Sequence, residues 1–489
     1  MSRALSAGVL LVSLHALAAS APPPAAPCNV QQLTGEWRSV GYNNLLAITP
    51  QKVTQFNVTA ISRIAVREMS PAQFAQRFDR LTCRGVDRIA LFDRGGNTPY
   101  EFVRAPSRPA ALRVDLPQMA TVNDDPLANF AVFSQYFAEN YAFMRAGEVD
   151  VDWSTLSAKI GASLRPTSSQ AELLAALESA IRPLRDAHVR VTDAGDTRIA
   201  SSLPLQEQYL LMGYIADSGI DPATVPRAAI STRFHEATRS HARSQARVQL
   251  REQLREQLVS GWLDRDLGYI AVHSFAGLAS EDSTAEPDRA AMHAAMLNVL
   301  SDLRGARGIV IDLRFNGGGY DPVALEFVGF FTAQRRLAYT KQAWFEGRTV
   351  TDTPIYLAPA TQAPYTGPLA VLVSDGTASG AEIALLALRE LPRRTFVGQP
   401  SRGILSDTLP SKLPNGWSVT LSNEIYATPQ GVVYERIRIP VDIAVPVLVE
   451  GSWRRGLDAS VGAAVEALQR EVSASSRPAE GLRQHAATQ

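Results

Sequence analysis

The second half of the sequence alternates short apolar runs with segments of helical periodicity. The runs are LGYIAVHSF, GIVIDL, LAVLVSD and RTFVG, and helical segments such as PVALEFVGFF and AEIALLAL separate them. Alternating strand and helix units of this kind predict an α/β core, which we expect over residues 263–450.

Ser379 lies where one of these strands turns into a helix, in LAVLVSDGTASGAEIALLALRE (Leu369–Glu390). Backbone N–H groups converge at a helix N-terminus and the helix dipole favours negative charge, so a serine there can be a nucleophile beside an oxyanion site. Taken alone, however, the pattern favours an ordinary N-cap serine.

A glycine-rich loop follows another apolar strand. Its sequence, DLRFNGGG (Asp312–Gly319), lets the backbone approach a ligand closely and turns several N–H groups toward it. LRFNGGG and TASGAE, about sixty residues apart, together resemble the C-terminal processing peptidase and tricorn core protease family of serine peptidases. Two further segments resemble motifs of that family in the same order, FAENYAFMRAGEVDVDW (Phe137–Trp153) and LRDAHVRV (Leu184–Val191).

The resemblance implies a crotonase-like ββα superhelix, in which the glycine loop and the serine loop lie side by side. It also implies roles for individual residues. Ser379 would be the nucleophile, and the N–H groups of Gly318 and Gly380 would be the oxyanion donors. His188, at a helix–strand junction, would be the general base. Ala187 precedes it where the tricorn-like pattern has a serine.

Processing peptidases activate the nucleophile with a lysine about 25 residues after the serine, and this interval contains none. It ends at SRGILSD (Ser401–Asp407), and Lys412 is the only lysine downstream of Ser379. Lys412 is predicted to be a solvated charge on a hairpin. The sequence therefore disfavours a serine–lysine dyad.

The other arrangement in the family is a triad of serine, histidine and glutamate. GVVYERIRIPVDIAVP resembles the family's E-G-x-G-x-P-x-D-I pattern, which assigns the acidic position to Glu435. This residue would hold the tautomer of His188. Arg436 and Arg438 stand where glycines are usual.

The N-terminus is predicted to be a secretory signal peptide, residues 1–21, because Arg3 precedes an apolar run that ends in small residues. Export would place the two cysteines, Cys28 and Cys83, in an oxidising compartment. We expect them to form a disulfide; the alternative is two buried thiols. Alternating runs between them predict a small β-rich domain over residues 22–115. We predict a soluble protein of the periplasm or the extracellular space, not an integral membrane protein.

Residues 127–262 are predicted to form a helical region that carries His188. Ser169 and Glu172 form a capping-box pattern before leucines at helical spacing. RFHEATRSHARSQARVQLREQLREQLVSGW is expected to be one charged helical segment, and no carboxylate loop of a PDZ domain is evident in this region. Residues 451–489 are predicted to form a terminal helix and a disordered tail.

Charge and motifs exclude several classes of function. The formal net charge is zero, from 48 basic and 48 acidic side chains, so no nucleic-acid partner is indicated. The sequence has no HExxH zinc motif here, because Arg239 stands where the second histidine would be required. Phosphate-binding and dinucleotide-binding motifs are also absent from the sequence. Ser379 is also not in a G-x-S-x-G elbow. We therefore predict neither a metal nor a cofactor.

The combined prediction is a secreted or periplasmic serine endopeptidase that hydrolyses polypeptides through an acyl-enzyme, with a triad of Ser379, His188 and Glu435. One alternative is a non-catalytic protein that binds apolar ligands or peptides on the same scaffold. Another is a crotonase-type acyl-CoA enzyme, against which export argues. The sequence leaves the natural substrate, the cleavage preference and the oligomeric state open.

Overall fold

The computed structural model describes residues 26–105, 112–119, 121–144, 151–201, 208–448, 451–456 and 458–475. The predicted signal peptide and residues 476–489 of the predicted tail lie outside these ranges. No helix within them is both long enough and apolar enough to cross a bilayer.

The N-terminal part is a nine-stranded sheet in the order β1-β6-β7-β8-β2-β3-β4-β5-β9. Its strands are β1 (Ala26–Pro27), β2 (Gly35–Ser39), β3 (Asn44–Ile48), β4 (Val53–Thr59), β5 (Ser62–Met69), β6 (Phe78–Cys83), β7 (Arg88–Asp93), β8 (Tyr100–Arg104) and β9 (Val114–Leu116), and helix α1 (Pro71–Arg77) lies between β5 and β6. Alternate side chains such as Trp37, Ile89 and Leu91 fill its core. The predicted Cys28–Cys83 disulfide is present beside this core.

A helical region follows the sheet. It contains α2 (Pro126–Asn140), α3 (Trp153–Gly161), α4 (Gln170–Ile181), β10 (Arg190–Thr192), β11 (Arg198–Ala200), α5 (Tyr209–Ser218) and α6 (Arg227–Gln245). The predicted capping box starts α4, because Ser169 accepts from the Glu172 N–H and the Glu172 carboxylate accepts from the Ser169 N–H.

The prediction of one charged helix up to residue 262 is wrong. Helix α6 ends at Gln245, and the chain continues as an antiparallel pair, β12 (Val248–Gln253) and β13 (Leu258–Trp262). Strand β12 is the edge of its sheet, so its charged side chains are solvated there as they would be on a helix. Charge-rich composition indicated exposure correctly but could not distinguish the two conformations.

The α/β core begins with this pair. Its remaining elements are β14 (Leu267–Val272), α7 (Ala285–Asp302), β15 (Gly308–Asp312), α8 (Asp321–Gly329), β16 (Arg336–Phe345), β17 (Arg348–Thr349), β18 (Thr353–Leu357), β19 (Leu369–Val373), α9 (Gly380–Arg389), β20 (Arg394–Gly398), β21 (Thr408–Lys412), β22 (Ser418–Ser422), β23 (Glu424–Ala427), β24 (Ile443–Ala444), α10 (Ser452–Arg455) and α11 (Ala459–Ser475).

The central sheet has the order β12-β13-β14-β15-β19-β20-β24, and it is parallel from β14 onward. One face packs against α7, α8 and α9 through residues such as Ile309 and Val371. The other face packs against α11, where Val461, Ala464 and Leu468 are buried. Helix α11 is therefore part of the core and not a separate terminal segment. This three-layer arrangement fits the α/β crotonase-like core that the sequence predicts.

Two smaller sheets complete the molecule. Strands β11-β10-β22-β21 form one, and β16 pairs with β17, β18 and β23 in the other. The first sheet positions His188, because β10 begins two residues after it and pairs with β22 of the core.

Candidate active site

Ser379 is the N-cap of α9 and has a φ of 53°, in the left-handed region that side-chain-bearing residues rarely adopt. Its side chain is half-buried. Gly380 is the first residue of the helix, so its N–H has no acceptor within the helix. The Ser379 hydroxyl and the Gly380 N–H thus lie next to each other at the N-terminus of α9, which is the positive end of the helix dipole.

The serine loop and the glycine loop lie side by side. The Ala378 N–H donates to the Asn316 carbonyl (3.0 Å), and the Thr377 hydroxyl donates to the Leu313 carbonyl (2.8 Å). These bonds connect the end of β15 to the segment before α9, and they fix Ser379 against the glycines.

Gly318 packs directly against the serine loop. A Cβ there would lie 2.7 Å from the Ser379 Cβ and 2.9 Å from the Gly380 nitrogen, so only glycine fits. The Gly318 N–H donates to the Asn316 side-chain oxygen (2.9 Å). The two glycines expected to hold an oxyanion are therefore in contact, but in this conformation the Gly318 donor is occupied.

Glu382 is a fully buried carboxylate that the sequence analysis did not single out. It accepts from the Ser379 N–H (3.1 Å), and it also accepts from the N–H groups of Gly403 (2.7 Å) and Ile404 (2.9 Å) and from the Ser401 hydroxyl (2.5 Å). It thereby links the serine loop to the segment 401–407. Its spacing of three residues after Ser379 is a capping-box pattern, which could have identified it.

His188 is buried, and its Nδ1 atom has no hydrogen-bond partner among the described residues. Its backbone is fixed at both ends, because its N–H donates to the Asp186 carboxylate (2.9 Å) and the Thr420 hydroxyl donates to its carbonyl (2.6 Å). Burial lowers the pKa of His188, while the charge of Asp186 partly opposes that shift. The imidazole is therefore held in the neutral form that a base requires.

The segment 401–407 contacts the surroundings of both Ser379 and His188. No hydrogen bond joins their side chains in the described structure. One end of the segment binds Glu382, next to Ser379, and the other end brings the Ser406 backbone and the charge of Asp407 to the imidazole. This segment therefore connects the serine loop to the surroundings of His188.

The structure does not bring the Glu435 carboxylate to the His188 ring. Instead it accepts from the N–H groups of Leu405 (2.6 Å) and Ser406 (3.0 Å). Burial, reinforced by the charge of Asp186, raises the pKa of Glu435 well above its ordinary value. Glu435 therefore contacts the backbone that faces His188, not the histidine itself.

An ionic cluster that includes Asp407 lies near His188, and no sequence pattern pointed to it. Lys341 and Glu424 are buried in it, whereas the Asp407 side chain is 57% exposed. Lys341 is 6% exposed and its ammonium contacts Asp407 (2.9 Å) and Glu424 (3.0 Å). Tyr42 of the N-terminal sheet donates to the same Glu424 (2.5 Å). Burial opposes the charge of Lys341, but the two carboxylates raise its pKa well above the ordinary value. Lys341 stays protonated and is unsuited to act as a general base.

Comparison with known proteins identifies the core that holds these loops. Residues 266–445 match the model of Peptidase family S41. This region belongs to peptidase family S41. The membership confirms the resemblance that the glycine-loop and serine-loop motifs indicate.

Curated relatives of this S41 region are named for C-terminal processing. A carboxy-terminal-processing protease of Bartonella bacilliformis is 26% identical over 202 residues, which cover 41% of this chain and 43% of the relative. Carboxyl-terminal-processing peptidase 2, chloroplastic, of Arabidopsis thaliana is 29% identical over 190 residues, covering 38% and 33%. The chain thus spans less than half the length of these relatives.

Solved structures resemble most of the chain in architecture. A putative peptidase from Parabacteroides merdae aligns with a TM-score of 0.55 and 21% identity over 71% of this chain and 97% of that one. Mature CPAF aligns with a TM-score of 0.51 and 11% identity over 72% and 98%. At these identities the likeness concerns the architecture alone.

Proposed function

We propose that this chain is a serine peptidase that hydrolyses polypeptides through an acyl-enzyme on Ser379. The observation that carries the proposal is the contact between the serine loop and the glycine loop, with Gly318 packed directly on Ser379 and Gly380. Membership of the core in peptidase family S41 supports the same chemistry.

In the proposed mechanism, the Ser379 hydroxyl attacks the scissile carbonyl while His188 takes its proton and later returns it to the leaving amine. The Gly380 N–H receives the oxyanion. The Gly318 N–H joins it by exchanging the Asn316 side chain for the substrate oxygen. Each such donor is worth about 10²–10³ in rate.

We assign Glu435 a positioning role in this mechanism. Its carboxylate holds the N–H groups of Leu405 and Ser406, and the Ser406 backbone contacts the His188 ring. Glu435 would thus orient the base through the backbone and not by direct contact. Substrate binding would bring Ser379 and His188 together, because catalytic hydrogen bonds often tighten only in the substrate complex.

We further propose that the protein acts in the periplasm or outside the cell. The predicted signal peptide at residues 1–21 supports export, and the Cys28–Cys83 disulfide suits an oxidising compartment. The mass of the protein recovered from a periplasmic or secreted fraction tests this, since export predicts removal of that segment.

A fluorophosphonate, followed by intact-mass analysis and peptide mapping, tests the nucleophile. We expect one adduct on Ser379, none in Ser379→Ala, and much slower labelling in His188→Ala. Lys412→Ala is the matched control, because the Lys412 ammonium is exposed and bonded to Gly416 and Ser418, so labelling should be unchanged. A folded protein that takes no label would instead indicate a non-catalytic binding protein on this scaffold.

A further inference from the structure

A buried ionic network includes a residue of the glycine loop. Its centre is Arg314, whose guanidinium is 0% exposed. The Nε and Nη2 atoms of Arg314 donate to the Asp312 carboxylate (2.9 and 2.5 Å), and Nη1 donates to both oxygens of Asp458 (2.9 and 2.7 Å). Burial opposes the charge of Arg314, but the two carboxylates raise its pKa well above the ordinary value. The guanidinium is therefore a charged crosslink between the glycine loop and Asp458.

Asp458 connects this guanidinium to two helices. It immediately precedes α11, and its carboxylate accepts from the Ser460 hydroxyl (2.7 Å), which itself accepts from Arg314 Nη1 (2.8 Å). The same carboxylate contacts Nε2 of His241 in α6 (2.7 Å). Residues 266–445 match Peptidase family S41, so Arg314 belongs to the matched core, whereas His241 and Asp458 lie outside it. The glycine loop is thus anchored by residues outside the matched region.

Arg314 also lies where the glycine loop contacts the serine loop. Its carbonyl accepts from the Ser374 hydroxyl (2.6 Å), and two residues later the Asn316 carbonyl accepts from the Ala378 N–H (3.0 Å). A shift of Arg314 would therefore disturb the backbone contacts that hold the two loops together. Those contacts place the proposed oxyanion donors beside the proposed nucleophile.

The charge of Arg314 does not require both carboxylates, because Asp312 alone would balance it. Removing a second carboxylate from water is costly. Burial opposes the charge of Asp458, but the charge of Arg314 lowers the pKa of Asp458 below the ordinary value. What Asp458 adds is a second attachment point, which fixes the planar guanidinium in one orientation.

We propose that Asp458 is a positioning residue of the peptidase site, which holds the glycine loop against Ser379 through Arg314. The inference rests on the proposed function, and it makes the start of α11 part of the machinery that stabilises the oxyanion. Oxyanion donors act mainly in the transition state. A displaced loop should therefore slow the chemical step and leave the binding of the reactant little changed.

A time course of fluorophosphonate labelling on the full chain, followed by intact-mass analysis at several probe concentrations, tests this role. The final extent of labelling counts the molecules with a folded site. The maximal rate reports the chemical step, in which the phosphoryl oxygen gains charge and needs the oxyanion donors. The half-saturating concentration reports binding of the probe.

In Asp458→Asn we expect full labelling at a maximal rate roughly 10–100-fold below that of the wild type, with a half-saturating concentration changed by less than about twofold. Asp458→Glu keeps the charge and should recover part of the rate. Glu466→Gln makes the same chemical change on the exposed side of α11, and as the matched control it should label like the wild type.

His241→Leu removes the contact on the other side of Asp458 and should slow labelling by a smaller factor. This variant serves if Asp458→Asn does not fold. An unchanged maximal rate in folded Asp458→Asn, or in His241→Leu where only that variant folds, would overturn the inference. A lower final extent at an unchanged maximal rate would overturn it too, because Asp458 would then support folding alone.

If the wild type takes no label, the proposed peptidase function is overturned, and hydrogen exchange decides the inference instead. The amides of residues 313–320 should exchange faster in Asp458→Asn than in Glu466→Gln, as measured by mass spectrometry of the peptides that contain them. Equal exchange in the two variants would show that Asp458 does not hold the glycine loop.

Discussion

Arg436 and Arg438 adopt left-handed backbone conformations, with φ of 64° and 70°. A residue with a Cβ pays about 1–2 kcal/mol in this region, whereas glycine does not. This explains why the motif usually has glycines at the two positions. The neighbouring Gly403, with φ of 80°, packs against the backbone nitrogens of both arginines and fixes the turn. The chain thus keeps two side chains at positions where they strain the backbone.

Arg438→Gly should therefore stabilise the protein. We expect the free energy of unfolding to rise by about 1 kcal/mol, measured by denaturant titration. Arg265→Gly is the matched control, since Arg265 has no positive φ and glycine there only adds entropy to the unfolded chain. A loss of stability in Arg438→Gly would show that the contacts of the Arg438 side chain stabilise the protein by more than its backbone strain destabilises it.

Ser379 and His188 should behave as one catalytic unit. Each alanine variant is expected to lower kcat/KM for peptide hydrolysis by orders of magnitude, and the double variant should be little worse, since members of such a unit are not additive. Losses that multiply in the double variant would mean that the two residues act independently.

Among the elements, helix α11 differs most from the predicted organisation, because it packs on the central sheet and is not a separate terminal segment. Leu468 is 2% exposed, and its methyl groups lie 3.2 Å from the position of a Cβ on Gly308 in β15. The helix thus covers one face of the central sheet, which would otherwise expose Val310 and Leu372.

Leu468→Ala should therefore destabilise the whole core and not merely the C-terminus. Truncation of a buried leucine costs about 2–5 kcal/mol, and the loss should appear in the single cooperative transition of the core. Glu466→Ala, on the exposed side of the same helix, should change stability by less than about 0.5 kcal/mol. Equal effects of the two variants would contradict the packing of α11 on the sheet.

Two kinds of signal located elements from the sequence. GIVIDL and LAVLVSD are continuous apolar runs without a solvated face, which predicts strands buried on both sides. The capping box predicted the start of α4. Strand β12 was missed because an exposed edge strand and a solvated helix accept the same charged residues. Local composition carries no information on which neighbour such a segment will find.

At the scale of the whole molecule, stability should depend on pH through buried histidines. His273 stacks on Phe315, its Nε2 has no partner among the described residues, and burial lowers its pKa to about 4. Its ordinary pKa is 6.5, so the unfolded chain takes up this proton first as the pH falls. The contribution of neutral His273 to the free energy of unfolding is therefore present in full above pH 6.5. It falls by roughly 3 kcal/mol as the pH drops to 4.

His273→Phe should flatten this dependence. Between pH 6.5 and 5, we expect the wild type to lose about 2 kcal/mol more unfolding free energy than the variant does. Denaturant titrations at both pH values give the difference. Identical slopes in the two proteins would show that His273 takes up its proton without unfolding.

How the site is assembled across the molecule could be predicted only in part. Ser379 and the glycine loop were recognisable because each occupies a short stretch with its own backbone geometry. Glu382 was recognisable in principle, by its spacing from Ser379. The contacts of Glu435 and the cluster around Lys341 were not, because they join residues that are distant in sequence and that no periodicity relates.

The bond between Tyr42 and Glu424 joins residues 382 positions apart. A ribosome or a secretion channel releases the chain from its N-terminus, so Tyr42 emerges early and Glu424 near the end. The ionic cluster beside His188 can close only when almost the whole polypeptide is free. Ser379, the proposed nucleophile, emerges before that moment, so the growing chain carries this hydroxyl for a time without its folded surroundings. If Ser379 is the nucleophile, synthesis itself delays the onset of hydrolysis until the chain is nearly complete.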